Sequence, residues 1–128
     1  MDKVQNYCDL DAWKRAHGLT VEIYRVTKKF PKTEIFGLID QARRAASSVG
    51  ANIAEGFGRY HFKDKNKFYY QARGSLFEVQ NHLLLSKDLN FLSQAEFNAF
   101  FVDTENLARL INGLIRSMAV NGKNQNGS

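Results

Sequence analysis

Three histidines, one cysteine and a scatter of serines are the residues of this chain best suited to acid–base, nucleophilic or metal chemistry, and their spacing argues against all three. A hydroxyl or thiol nucleophile needs a base within hydrogen-bond reach. His17, His61 and His82 fall on different predicted elements, and Cys8 is close in sequence to none of them. Glu78 and His82 are four residues apart, so one helix can present them together, but two ligands fall well short of a zinc or transition-metal site. A di-iron bundle would use Glu-x-x-His, whereas the residue three after Glu78 is Asn81. Gly56-Phe57-Gly58-Arg59 has the glycines of a phosphate loop, yet it closes a predicted helix instead of joining a strand to a helix N-terminus, and it reads as a C-terminal cap. The expectation is a protein with no catalytic residues, no metal and no cofactor.

Polar residues of another kind are better placed. Over residues 41–59, QARRAASSVGANIAEGFGR, a rotation of 100° per residue puts Ala42, Ala45, Ala46, Val49, Ile53 and Phe57 on one side. Gln41, Arg44, Ser48, Asn52, Glu55 and Arg59 line the other. Arg44 with Ser48 and Glu55 with Arg59 stand at i,i+4. Exposed pairs of this kind add only ~0.3–0.5 kcal/mol each. A row mixing amides, hydroxyls and both charge signs also suits a hydrogen-bonded contact with another helix or subunit, and the residues leave both readings open.

The next predicted helix has an apolar stripe through Phe68, Ala72, Leu76, Val79 and Leu83, and a second series at Tyr70, Phe77 and Leu84, roughly 150° around. One small bundle does not easily bury both, so the second series predicts contact with another subunit. Gly74, inside the same helix, costs on the order of 1 kcal/mol relative to alanine and predicts close approach by another backbone.

The net charge of +5 is uneven: residues 1–75 hold 14 Lys and Arg against 8 Asp and Glu, and residues 76–128 hold 4 against 5. Lys14, His17, Arg25, Lys28 and Lys32 share the side of the first helix opposite its core stripe, and Lys63, Lys65 and Lys67 cluster at the start of the third. Phosphates could use Lys14, Arg25, Lys28, Lys63, Lys65 and Lys67, and Tyr60, His61 and Phe62 could stack on bases. The alternative for all of them is an ordinary solvated face, and no recognised RNA-binding signature accompanies them.

These residues must be held by helices. With 128 residues, 12% aromatics and a single proline, Pro31, the composition suits one core and long helices. Asp9 or Asp11 is expected to cap a first helix that runs to about Phe30 along Trp13, Ala16, Leu19, Ile23 and Val26. The Phe30-Pro31 junction ends it, and Thr33 offers the next cap, so that Ile35 and Leu38 open the inner face of helix two. Ser93 and Glu96 have the spacing of a capping box for helix four, with Phe97, Phe100, Phe101, Leu107, Ala108, Ile111, Leu114, Ile115 and Met118 inward. Residues 1–120 form one all-α domain in this reading, an antiparallel up-down-up-down four-helix bundle, and residues 121–128 a flexible polar tail. A lone cysteine, no apolar leader and no window long enough to span a bilayer predict a cytoplasmic protein without a membrane partner.

Several ordered motifs carry a resemblance: DLDAWKRAH at residues 9–17, IYRVTKKFPKTE at 23–34, QARRAASS at 41–48, NIAEGFGR at 52–59 and ARGSLFE at 72–78. With them the chain resembles, over about residues 9–118, the four-helix-bundle family encoded in intervening sequences of bacterial 23S rRNA genes. That family is similar in turn to the accessory variability determinant proteins of diversity-generating retroelements. The resemblance implies a homopentamer and, through those relatives, a basic assembly that works with nucleic acid and a partner protein. It implies no catalytic residue. It places Arg44, Asn52, Glu55, Gly56, Arg73, Gly74, Ser75 and Glu78 at the family's polar and small positions. Gly50 departs from the pattern, where proline or another residue is common.

The sequence as a whole predicts a non-enzymatic homo-oligomer associated with RNA or DNA through a basic surface, or acting as a scaffold. Arg44, Asn52, Glu55, Tyr70, Arg73, Phe77, Glu78 and Leu84 are its expected interface or polar network. The alternative is a protein-interaction module whose charge only keeps it soluble.

Overall fold

A computed structural model describes residues 3–127, with side chains as far as Lys123. Four helices, α1 (Asp11–Thr27), α2 (Leu38–Phe57), α3 (Phe62–Asp88) and α4 (Gln94–Gly127), account for most of it, and there is no strand among the described residues. Each helix packs against two others: α2 on α1 and α3, α4 on α3 and α1. The α2–α3 seam is the most extensive and the α1–α4 seam the least.

α2 sits between α1 and α3 because its inner positions are small. Ala42, Ala45, Ala46, Val49, Gly50, Ile53 and Gly56 are all buried. The bulk of the core comes from the facing helices: Leu19, Ile23 and Val26 from α1, Tyr69, Leu76, Val79 and Leu83 from α3, and Phe97, Leu107, Ile111 and Ile115 from α4. Burying one such side chain stabilises the fold by roughly 1.5–3 kcal/mol. On α3 the buried aromatic is Tyr69, with Phe68 half-buried beside it. Burial pushes the Tyr69 phenol above its ordinary pKa by disfavouring the phenolate.

The helix ends show which local signals win. Ser93 and Glu96 form the expected reciprocal cap: the Glu96 N–H donates to Ser93 Oγ (3.0 Å) and the Ser93 N–H to Glu96 Oε1 (2.9 Å). Ahead of it the chain turns at Asn90 in the left-handed region (φ 64°), and the Phe91 and Leu92 N–H groups both donate to the Ser86 carbonyl. The first helix is different. Neither Asp9 nor Asp11 caps it; its N-cap is Leu10, with no side-chain bond. Asp9 closes the short 3₁₀ turn Tyr7–Asp9, accepting from the Gln5 and Asn6 N–H groups at 2.9 and 3.1 Å. Those two donors, helped by Lys14, hold its carboxyl below the usual aspartate range.

α1 stops at Thr27, earlier than Phe30, and the next turn is another short 3₁₀ segment, Lys32–Glu34. Thr33 caps nothing: α2 begins after Gly37, and Glu34 Oε1 accepts the Leu38 N–H at 3.3 Å. Ile35, expected on the inner face, therefore lies outside α2 and is exposed, and Phe36 beside it is 92% exposed.

Gly58 is the C-cap of α2, in the right-handed region, while Gly56 takes the close approach expected of Gly74. Gly56 is no left-handed cap, since no glycine among the described residues has a positive φ. Its missing side chain instead makes room for α3: a Cβ at 56 would lie 2.7 Å from Tyr69 Cε1 and 3.0 Å from the Lys65 carbonyl oxygen. Gly74, expected at a close crossing, has nothing within 4 Å of where its Cβ would be. No other part of the described chain comes near it.

α4 continues through residues 121–127, which the sequence reading assigned to a tail. No proline interrupts this stretch, and Gly122 packs over the start of α3, where a Cβ would meet Phe62 Cβ at 3.6 Å. Ser128 lies outside the described residues. Among the described residues no helix is long and apolar enough to cross a membrane.

Candidate nucleic-acid interface

The polar row of α2 divides in two. Ser48 and Asn52 are half-buried at the α2–α3 seam, where Asn52 Nδ2 donates to the Ser48 carbonyl (2.9 Å) and to Ser48 Oγ (3.1 Å), and Ser75 Oγ donates to Ser48 Oγ (2.9 Å). This local network ties helix to helix, and Ser75 completes it from the ARGSLFE motif. Gln41, Arg44, Glu55 and Arg59 face outward. Arg44 pairs with Asp40 rather than Ser48, with its Nε 2.9 Å from Asp40 Oδ2, because an ionised acceptor one turn back outcompetes a hydroxyl one turn ahead. Glu55 keeps its expected partner Arg59 at 3.4 Å, whose guanidinium also lies 4.6 Å from the centre of the Phe68 ring. Glu78 is exposed and, with Gln41, Arg44 and His82, lines a shallow groove over Ser48 and Ser75.

Arg73 belongs to the other side of α3. Its Nη1 donates to Asn112 Oδ1 of α4 at 3.0 Å, and its guanidinium stacks over the Tyr70 ring at 4.8 Å. Tyr70, Phe77 and Leu84 then form the outer stripe anticipated from their spacing, exposed by 50%, 53% and 40%. Gly74 lies among them with open space above it. This bare apolar strip is the chain's own unfilled side.

The six cations proposed for phosphate contact are not equivalent. Lys14, Lys28, Lys63 and Lys67 are exposed and, among the described residues, belong to no ion pair. Arg25 is exposed but paired with Glu22. Lys65 has to be withdrawn from the set: its Nζ donates to the Phe57 carbonyl at 2.6 Å and lies over the Phe57 ring. The carbonyls at a helix C-terminus lack partners and carry partial negative charge, so an inward lysine caps α2. The partial burial that this requires lowers the Lys65 ammonium below the ordinary lysine range.

Lys63 and Lys67 border something the sequence reading missed. Between the first turns of α3 and the last turns of α4 lies an open cleft of about 1140 Å³, with Phe62, Tyr70 and Met118 in its walls and Lys63, Lys67 and Lys123 around it. The spacing of Lys63, Lys67 and Tyr70 along one helix face carried part of this signal. The other wall was hidden by the assignment of residues 121–128 to a tail. Lys14 and Arg25 are on α1 and Lys28 directly follows it; among the described residues α1 makes no contact with α3, so the basic residues form two separate patches.

Among the described residues no group of three or more His, Cys, Asp or Glu side chains could hold a metal ion. His82 stands near Glu78 in the shallow groove, and its Nδ1 is buried without a hydrogen-bond partner.

Compared with known protein families, the chain matches the family model described as 23S rRNA-intervening sequence protein over residues 8–113, a span that takes in α1, α2, α3 and much of α4. No curated protein matches it.

Proposed function

Because the chain belongs to the 23S rRNA-intervening sequence protein family, we propose that it is a non-enzymatic, homo-oligomeric protein that associates with nucleic acid, RNA foremost, through exposed lysines. The observation that carries this reading is the set Lys14, Lys28, Lys63 and Lys67, which the fold leaves exposed and outside every ion pair among the described residues. Contacts of this type release counterions, so affinity falls steeply with salt and little with sequence. The helices are read as an antiparallel up-down-up-down bundle. Along α3 and α4 the bonded pairs Asn66–Ile115, Arg73–Asn112 and Gln80–Thr104 support it, since one number rises as the other falls.

The assembly is read as a ring, a pentamer, with Phe77 and Leu84 covered by the neighbouring copy. A heterologous contact of this kind closes when its rotation does, and repetition of a modest basic patch around a ring supplies avidity. The cell compartment is read as the cytoplasm, and no step of chemistry is assigned to the protein.

Binding of a structured RNA, followed over a salt series for the wild type and for Lys28→Glu combined with Lys67→Glu, tests the reading. The double variant is expected to bind at least tenfold more weakly, with a shallower salt slope. Lys65 is left intact because it supports α2. Equal affinity of the two proteins, or no binding near physiological salt, would instead favour a protein-interaction module, for which the exposed Phe36 speaks.

A further inference from the structure

The two basic patches differ in shape, and the difference selects a ligand. Lys14, on α1, and Lys28, just past its end, are both exposed. Lys63, Lys67 and Lys123 instead surround a concavity with an aromatic wall. Lys63 and Lys67 are one helical turn apart, about 6 Å along the axis, so two neighbouring phosphates of one strand can each meet an ammonium. Tyr70 is half exposed, and Arg73 stacks on its ring from the α4 side. A base plane can stack on such a ring whatever the base. Asp64 is the one acidic side chain in the lining among the described residues, so the field inside favours an anion.

From this geometry we infer that the α3–α4 cleft takes an unpaired stretch of nucleic acid: the backbone runs along Lys63, Lys67 and Lys123, and a base is seated against Tyr70, Phe62 and Met118. This rests on the nucleic-acid reading above and narrows it to single strands. A duplex keeps the faces of its bases stacked on one another and presents phosphates, sugars and base edges, none of which supplies a free ring plane to lie against Tyr70 in an apolar-walled cleft of about 1140 Å³. Gly122 lines the cleft. A Cβ there meets Phe62 Cβ at 3.6 Å, an ordinary van der Waals contact, and the side chain of a leucine at this position would compete with the ligand for the cleft.

The test is fluorescence anisotropy with a labelled ten-nucleotide oligouridine RNA and an RNA hairpin duplex of equal charge, at one fixed salt concentration. Wild type, Gly122→Leu, Tyr70→Ala and Lys28→Glu are compared, with folding followed by circular dichroism and mass by light scattering. The expected result is a single-strand preference of at least tenfold in the wild type. Gly122→Leu and Tyr70→Ala should each lose at least fivefold on oligouridine and less than twofold on the duplex, whereas Lys28→Glu weakens both ligands by similar factors. Gly122→Leu lies off the outer stripe of α3, so it decides the matter even if Tyr70→Ala alters assembly. Binding that persists in Gly122→Leu with no loss on oligouridine, or an equal affinity for duplex, overturns the cleft and leaves the broader reading standing. No binding of either RNA by the wild type overturns both.

Discussion

Replacing Gly56 by alanine should destabilise the protein, although helix propensity alone says the opposite. Alanine is favoured over glycine inside a helix by about 1 kcal/mol, and less near a terminus such as this one. The opposing cost is steric. The new methyl would sit 2.7 Å from Tyr69 Cε1 and 3.0 Å from both Tyr69 Cδ1 and the Lys65 carbonyl, where carbon atoms prefer about 3.5–4.0 Å. Tyr69 is only 2% exposed and the carbonyl is backbone, so neither gives way freely, and α3 must move outward. Overpacking of this type costs about 1–3 kcal/mol. The net expectation is a loss of about 1–2 kcal/mol. The matched control is Gly18→Ala, mid-helix in α1 with nothing within 4 Å, which should gain up to about 1 kcal/mol. Urea unfolding followed by circular dichroism, at one protein concentration because assembly contributes to stability, reads the difference of about 1–3 kcal/mol between the two. A Gly56→Ala protein as stable as Gly18→Ala would refute the reasoning.

Phe77→Asp should leave the helical content of the isolated chain nearly unchanged, because the position is half exposed, but should collapse the oligomer to smaller species in light scattering by placing an unpaired charge in the contact; a monodisperse wild-type monomer would end the assembly reading. The Glu96 carboxyl is held below the ordinary glutamate value of 4.5 by the Lys29 ammonium and by the Ser93 N–H and hydroxyl. A depressed folded pKa means that this stabilisation is complete above the unfolded value and fades as pH falls through the folded one. Glu96→Gln should therefore be less stable than wild type at pH 7, by about 1 kcal/mol for a weakened cap. Its urea midpoint should decline less steeply below pH 5, and parallel declines would contradict the assignment.

The sequence reveals most where a signal is local and unopposed. Ser93 and Glu96 form a cap because both partners of the bond lie within one turn, and the core series from Leu19 to Ile111 follows directly from helical periodicity. Failures occur where two local signals compete or where the deciding partner is distant. Asp9 and Thr33 have the chemistry of caps, but Asp9 is captured by the Gln5 and Asn6 N–H groups and Glu34 reaches α2 first. The purpose of Gly56 could not be read without Tyr69, which lies thirteen residues on and across a helix seam, nor could that of Gly74 without knowing that its side of α3 is open. Lys65 looked like its neighbours Lys63 and Lys67, and only the position of the α2 C-terminus turns it inward.

The closure of the bundle also sets how it comes together and how it first opens. Three of its four seams join helices that follow one another in the chain, and only α1 against α4 links distant segments. Contacts that close short loops cost little entropy to make, so α2 on α3 and α3 on α4 can assemble as hairpins, and helical bundles built mainly on such contacts fold in the microsecond-to-millisecond range. The long-range seam is also the least extensive, and α1 leaves it for a ten-residue connection that holds exposed Ile35 and Phe36. Hydrogen exchange should accordingly find α1 opening at lower free energy than the α2–α3 pair. An α1 released in this way can reseat on the α2 and α4 of another copy, so the same seam makes exchange of the first helix between chains the most accessible route to a swapped dimer.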